Sequence, residues 1–467
     1  MFHVTVDRTT GRPMYLQIYE YIVNEIKRGN LHCNDKLPSG RELAMDLNIS
    51  RNTINMAYEQ LEAEGYIEAY PKKGYYVRAL DGLLEVTVSG ENEKEIEVAS
   101  RKEEYKIDFS PFGIDARYAP HLRWQKLMKE TMLDEGGALF QNGDNQGESA
   151  LRESIREYLH RARGVTCREN QIIIGAGTDY LLMLLTRLLP GKPRIAMENP
   201  VYQQAYRVFR NFQYSIDPIG IDADGLDVQE LQETEAQLVF VTPSHQFPLG
   251  VVMPINRRLQ LLNWAYEQDG RYIIEDDYDS EFRYQGRPIP ALQGLDTKGK
   301  VIYMGTFSKA IAPSIRIGYM VLPDDLCERY RKEAAFYATT VSRLEQEVVH
   351  RFIEEGYFER HMNRMRGIYK EKHDRLIQAL SQWSLPIRWR GDSAGLHLLI
   401  EFPESSGTEQ QFVQRAEQQG IRVYALSDYY IQGEPEVPTL LLGYARLTEE
   451  EIVEGACLLE KAWKEMH

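Results

Sequence analysis

Lys309 and Arg316, in YMGTFSKAIAPSIRIGY, carry the first chemical signal in this 467-residue chain. Lys309 follows an apolar strand pattern and small polar residues, and Arg316 precedes a second apolar run. An ammonium among apolar strands is costly when unpaired. A lysine held there can form a Schiff base with an aldehyde, and a neighbouring arginine offers a fixed fork to a phosphate. A second set stands in RYIIEDDYDSEF, where Glu275, Asp276, Asp277 and Tyr278 close an apolar strand. A carboxylate against a pyridine nitrogen keeps that nitrogen protonated and the ring an electron sink. A tyrosine two residues on can donate to a phenolic oxygen. In QIIIGAGTDYLLMLL a strand runs through Gly177 and Thr178 into a helix, whose first N–H groups make an anion site. In MENPVYQQAY, Tyr202 can stack on an aromatic ring. Taken singly these are ordinary features: a solvated lysine, an N-cap, a strand-to-helix turn. Their weight lies in occurring together.

These residues need a scaffold, and the apolar pattern supplies one. QIIIGAG, RIAMENP, QLVFVTP, RYIIEDD and KVIYMGT read as short buried strands separated by amphipathic stretches. That alternation predicts an α/β fold with a mostly parallel sheet covered by helices on both faces, from about Asp108 to the end. A length of 467 residues exceeds one compact core. Residues 79–107 are rich in Glu, Lys and Ser with little apolar periodicity and read as a linker. No apolar run approaches a membrane span of about 20 residues, and the first residues lack the pattern of a secretion leader. The four cysteines, Cys33, Cys167, Cys327 and Cys457, are scattered without metal-ligand spacing and read as reduced thiols, so a cytoplasmic protein with no metal is expected.

Residues 1–78 are dense in helix signals. Pro13 suits the first turn of a helix to about Lys27, and Ser39 with Glu42 forms the capping-box spacing of a second. Ser50 caps a third, RNTINMAYEQLEA, closed by Gly65. Ile54, Ala57, Tyr58 and Leu61 make its buried stripe, leaving Arg51, Asn52 and Asn55 off it near the start. Two helices joined by a short turn, the second offering Arg and Asn from its first turns, suit a DNA major groove. YIEAYPKKGYYV reads as a hairpin with Lys72, Lys73 and Gly74 at its tip. Residues 1–78 hold 10 Lys and Arg against 10 Asp and Glu, so the net charge of −15 belongs to the rest. DNA binding must rest on a local basic face and on two heads acting together.

The first 78 residues resemble the GntR-type winged helix-turn-helix nearly end to end. The resemblance implies DNA contacts from Arg41, Ser50, Arg51, Asn52, Thr53 and Asn55, with Lys73 and Gly74 of the wing at the minor groove. Residues 108–467 resemble the fold-type I aminotransferases, including a small C-terminal α+β subdomain. That resemblance implies pyridoxal 5'-phosphate, with Lys309 as the Schiff-base lysine and Asp276 at the pyridine nitrogen. Tyr278 would bond the phenolic oxygen, Tyr202 would stack, and Gly177, Thr178, Thr306 and Arg316 would cradle the phosphate. A GntR head fused to this domain resembles the MocR subfamily of regulators, where TPSHQFPLG also belongs. It implies a head-to-tail homodimer on an operator with two half-sites, and a small amine or amino acid sensed by external aldimine formation. Family analogy offers γ-aminobutyrate, taurine, D-alanine or its dipeptide, and the cofactor itself as effectors; Gln203 and Gln204 after Tyr202 disfavour γ-aminobutyrate.

Three positions depart from the aminotransferase pattern. The asparagine that bonds the ring oxygen is absent from Phe247, Pro248, Leu249 and Gly250, leaving His245 or Gln246 as stand-ins. Asn142 occupies the place of a tyrosine that reaches the partner's phosphate. Leu441 aligns with the carboxylate-clamping arginine, although Arg446 lies near. A missing clamp weakens the orientation that turnover needs, which favours a sensor over an efficient transaminase. The rivals are a working aminotransferase with a vestigial head, and a repressor whose large domain only dimerises.

Overall fold

The computed structural model describes residues 6–7, 11–79, 105–284, 289–391 and 394–464. The chain divides into two units, Met1–Lys102 and Glu103–His467. Most of the expected linker, residues 80–104, lies outside the described residues.

In the first unit α1 (Met14–Lys27), α2 (Gly40–Asp46) and α3 (Arg51–Ala63) precede an antiparallel hairpin of β1 (Ile67–Tyr70) and β2 (Gly74–Val77). The start of α2 is fixed by a full capping box between Ser39 and Glu42, and Ser50 accepts from the Thr53 N–H at the start of α3. Such caps contribute about 1 kcal/mol each. Ile18, Ile22, Leu43, Ile54, Tyr58 and Leu61 form the small core, and the Tyr58 hydroxyl donates to the Pro38 carbonyl at 2.9 Å.

The second unit opens with β3 (Ile107–Asp108), α4 (His121–Glu135) and α5 (Ser149–Arg163). The large sheet then grows through β4 (Ile172–Gly175), α6 (Thr178–Leu188), β5 (Ile195–Asn199), α7 (Gln203–Asn211), β6 (Ile216–Asp222), β7 (Gly225–Leu226), α8 (Val228–Gln232), β8 (Leu238–Val241), α9 (Ile255–Tyr266), β9 (Tyr272–Asp277), β10 (Val301–Thr306) and β11 (Gly318–Val321). Its order is β4-β11-β10-β9-β8-β5-β6-β7. The central neighbours are parallel, β11 runs antiparallel to both its neighbours, and β7 turns back on β6. All five strands read from the sequence are present. Alternate side chains feed opposite layers. Ile173, Met197, Phe240, Ile274 and Ile302 pack on α6 and α7, whereas Val239, Val241, Ile273 and Val301 pack on α8 and α9.

After α10 (Asp324–Glu333) and α11 (Arg343–Glu354), the long α12 (Tyr357–Leu380) leads to β12 (Arg388–Arg390), β13 (His397–Glu401), α13 (Glu409–Gln418), β14 (Ile421–Arg422), β15 (Tyr424–Ala425), β16 (Thr439–Gly443) and α14 (Glu449–Trp463). A four-stranded sheet β12-β13-β16-β15 with α13 and α14 forms the small α+β subdomain, and β3 pairs with β14. No helix among the described residues is long and apolar enough to cross a membrane.

Candidate functional site

Strand β9 puts successive side chains on opposite sides, and its two sides have different work. Glu275 accepts from the Leu292 and Gln293 N–H groups at 2.8 Å each. Asp277 pairs with Arg163 at 2.8 Å and accepts from the Tyr303 hydroxyl at 2.5 Å. These two hold the scaffold. Asp276 and the next residue on its side, Tyr278, line a cavity of about 170 Å³ with Thr178, Tyr202, Thr306, Lys309 and Arg316. The Lys309 nitrogen lies 4.4 Å from the centroid of the Tyr278 ring. Seven of the residues singled out in the sequence thus meet in one cavity. The eighth, Gly177, adjoins it: with φ +86°, a Cβ there would fall 2.8 Å from the Arg316 guanidinium.

The cavity is electrostatically unfinished. Asp276 is buried, and its Oδ1 has no hydrogen-bond partner. Burial, then the nearby Asp277, push its carboxyl up to about 7, against the pull of Lys309. Burial also draws the Lys309 ammonium below its ordinary value, opposed by Asp279 and Asp276. A buried unpaired carboxyl oxygen is costly, and a protonated ring nitrogen would satisfy it. At the opposite end, α6 begins at Thr178 with no side-chain cap. Arg316, held at φ +49°, pairs there with Asp179 at 3.2 Å. The Thr306 and Ser308 hydroxyls lie 3.0 Å apart beside them. Free helix-start N–H groups, hydroxyls and a guanidinium together suit a phosphate.

In the first unit, Arg41, Ser50, Arg51, Asn52 and Lys73 are exposed, and Thr53, Asn55 and Gly74 are half-buried. Ser50 and Thr53 are tied to each other by an Oγ to Oγ1 contact of 2.9 Å, so both serve the start of α3 as well as any ligand. Asn55 packs at Gly40, where a Cβ would lie 2.9 Å from its Oδ1. Lys73 sits at the hairpin tip, its N–H on the Tyr70 carbonyl at 3.0 Å.

The family model of aminotransferase class I and II matches residues 115–456, and that of the bacterial regulatory proteins of the gntR family matches residues 14–77. The HTH-type transcriptional regulator YdeL of Bacillus subtilis is 40% identical over 466 residues, 98% of each chain. The "Probable rhizopine catabolism regulatory protein MocR" of Rhizobium meliloti is 33% identical, covering 98% of this chain and 96% of that one. The chain belongs to the MocR subfamily of GntR-type transcription regulators. Its body also resembles solved aminotransferases. An archaeal alanine:glyoxylate aminotransferase gives a TM-score of 0.70 at 26% identity, covering 77% of this chain and 91% of that one. Pyrococcus horikoshii kynurenine aminotransferase, solved in complex with PMP, gives 0.69 at 25%, covering 80% and 96%. Because the relatives matching both units are named as regulators, the regulator reading stands over that of an aminotransferase with an idle head.

Within this MocR-type chain the sequence left the stand-in for the missing asparagine open, and the structure separates the two residues. Gln246 is buried, donating to the Pro200 and Phe247 carbonyls and accepting from the Leu249 N–H at 2.9 Å. His245 instead meets the Tyr278 hydroxyl at 3.0 Å through Nδ1, which also faces Asp279 at 2.9 Å. Burial acts to raise the Asp279 carboxyl, but His245 holds it below its ordinary value. A carboxylate only accepts, so Nδ1 carries the hydrogen toward Asp279, and the Tyr278 hydroxyl sits against the same His245–Asp279 pair. Leu441 is buried in an apolar cluster with Phe247 and Tyr429. Arg446 turns to Asp108 at 3.4 Å. Neither Gln203 nor Gln204 lines the cavity, and Asn142 is exposed. The reading of the sequence missed Asp179, Ser308 and Asp279. Asp179 directly follows Thr178 and Ser308 directly precedes Lys309, so adjacency was the available signal.

Proposed function

We propose that the body of this regulator binds pyridoxal 5'-phosphate and senses a small amine or amino acid through it. The observation that supports this most is the buried, partnerless Asp276 oxygen on the same side of β9 as Tyr278, with Lys309 against the Tyr278 ring. Lys309 would hold the cofactor's aldehyde carbon, Asp276 its ring nitrogen and Tyr278 its phenolic oxygen. Tyr202 would lie on its ring, and Gly177, Thr178, Thr306 and Arg316 would hold its phosphate. The bound group would supply a carbonyl carbon that an incoming amine can take over from Lys309.

The chain's own residues set the conditions for that exchange. Burial draws Lys309 below its usual basicity, the direction that favours the free amine an exchange needs. Asp276 would keep a proton at the ring nitrogen, and His245 stands beside the Tyr278 hydroxyl at 3.0 Å. With Leu441 in the clamp position no guanidinium fixes a carboxylate there, and orientation for turnover is weakened. Ligand exchange at Lys309 must favour one conformation over another to be read as a signal, and about 1–3 kcal/mol suffices.

On the DNA side, Arg41, Ser50, Arg51, Asn52, Thr53 and Asn55 would face the major groove, with Lys73 and Gly74 in the minor groove. A cytoplasmic homodimer, head to tail, would present two heads to two half-sites. Exposed Leu133 in α4 and Phe140 just beyond it are the kind of apolar surface that a second copy covers. The test is spectroscopic. The full chain incubated with pyridoxal phosphate acquires an absorbance band that Lys309→Ala abolishes; an unchanged band in that variant refutes the reading.

A further inference from the structure

The start of α12 meets the start of α4 in a second cavity, of about 410 Å³, that shares no lining residue with the Lys309 pocket. Arg117, Arg123, Arg360 and Arg364 line it together with His121 and His361, and no acidic residue does. Arg117 is neutralised by Asp115 at 2.6 Å. The other three are not. Arg123 and Arg360 lie 5.3 and 4.7 Å from the centroid of the same Tyr357 ring, and Arg364 lies 5.3 Å from that of Tyr118. None of the three makes an ion pair among the described residues.

Two helix starts open onto the same place. α4 begins at His121 behind Pro120, and α12 at Tyr357 behind Gly356, and neither is capped by a side chain. Each start carries roughly half a positive charge; the His121 N–H is taken by the Ala119 carbonyl at 2.8 Å, and no side chain caps the N–H groups that follow at either start. In a chain of net charge −15, three unneutralised guanidiniums and two bare helix starts converge on one concavity. Their mutual repulsion is relieved by an anion. Guanidinium forks match the oxygens of a phosphate in pairs. The cavity is larger than a bare phosphate needs and lies within the range of small-molecule sites.

We propose that this cavity binds a phosphate-bearing small molecule, its oxygens on Arg123, Arg360, Arg364 and the two helix starts, its organic part beside Tyr118 and Tyr357. His361 in the same wall lies near the backbone of Ala310, the residue after Lys309. His361 thus stands between an occupant and the segment that carries Lys309, and any coupling to the cofactor, which rests on the reading above, is reciprocal.

Calorimetric titration of inorganic pyrophosphate into the full chain at low ionic strength tests the site. Arg316 offers the same anion a second place, so variants separate the two. Arg316→Ala keeps a binding event. Arg360→Ala with Arg364→Ala weakens that event by at least about tenfold, each lost guanidinium contact to a charged oxygen being worth roughly that factor. Both side chains are exposed, so folding is spared. Pyrophosphate binding that vanishes with Arg316→Ala, or that is unchanged in the double variant, overturns the proposal. The pyridoxal phosphate band of the double variant reports on the other pocket: an intact band beside weakened pyrophosphate binding supports a separate site, and a missing band in the unsubstituted chain refutes the cofactor reading while leaving this one standing.

Discussion

The exposed start of α3 in the head and the Lys309 pocket of the body place polar chemistry in opposite environments. Arg51 and Asn52 stand in water on a helix whose anchorage comes from Ile54, Ala57, Tyr58 and Leu61 beneath them. Asp276, Asp279 and His245 are buried, and each depends on the partners it has. Side chains of the first kind can change without touching the fold. Those of the second kind set the stability of the ligand-free body, upward where they are paired and downward where they are not.

The largest test of that contrast is His245→Ala. It removes the buried Nδ1 donor from the Asp279 carboxylate and leaves Lys309 as the nearby positive group, a change that costs about 3 kcal/mol for a charged acceptor stripped of its donor. Urea unfolding of the body reports it, and a loss below about 1 kcal/mol would break the comparison. Next comes Asp276→Asn. The folded carboxyl titrates at about 7 against an ordinary 3.8. The ionisation penalty is therefore absent below the lower value, grows as pH rises between the two, and is fully present above the higher. Asparagine has none, so the ligand-free variant overtakes the parent across that window, by on the order of 3 kcal/mol at pH 8. Melting curves at pH 4 and pH 8 check the sign, and pyridoxal phosphate binding weakens in the same variant.

Smaller again is Arg51→Ala with Asn52→Ala. Each base-edge contact is worth about 1–3 kcal/mol, so operator affinity falls about thirtyfold or more. The melting of the head stays where it was; a parallel loss of helix content would erase the distinction between the regions. Ser50→Ala sharpens it from the other side. Ser50 caps α3 and belongs to the proposed DNA contacts, so its loss lowers head stability by about 1 kcal/mol as well as affinity.

Legibility divided along the same line. The caps at Ser39 and Ser50 and the stripe of α3 are local patterns, and the structure repeats them. Lys309, Asp276, Tyr278 and Thr178 were readable because each stands at the end of an apolar strand, where a parallel sheet gathers its side chains. Pairings made by topology could not be read. His245 reaches Asp279 because β8 and β9 are neighbours. Arg316 reaches Asp179 because β11 lies against β4, which feeds α6. Nothing in the spacing of those residues announces contact. Choosing between His245 and Gln246 likewise required knowing which of two adjacent side chains turns inward to carbonyls.

The two-sidedness of β9 constrains how this segment can change. Glu275 and Asp277 brace the scaffold while Asp276 and Tyr278 line the cavity, so cavity wall and mechanical support are interleaved residue by residue. Sliding the strand by a single position would exchange the two roles wholesale. A one-residue insertion or deletion there would strike brace and cavity together, whereas replacing Asp276 alone leaves the Glu275 and Asp277 contacts in place.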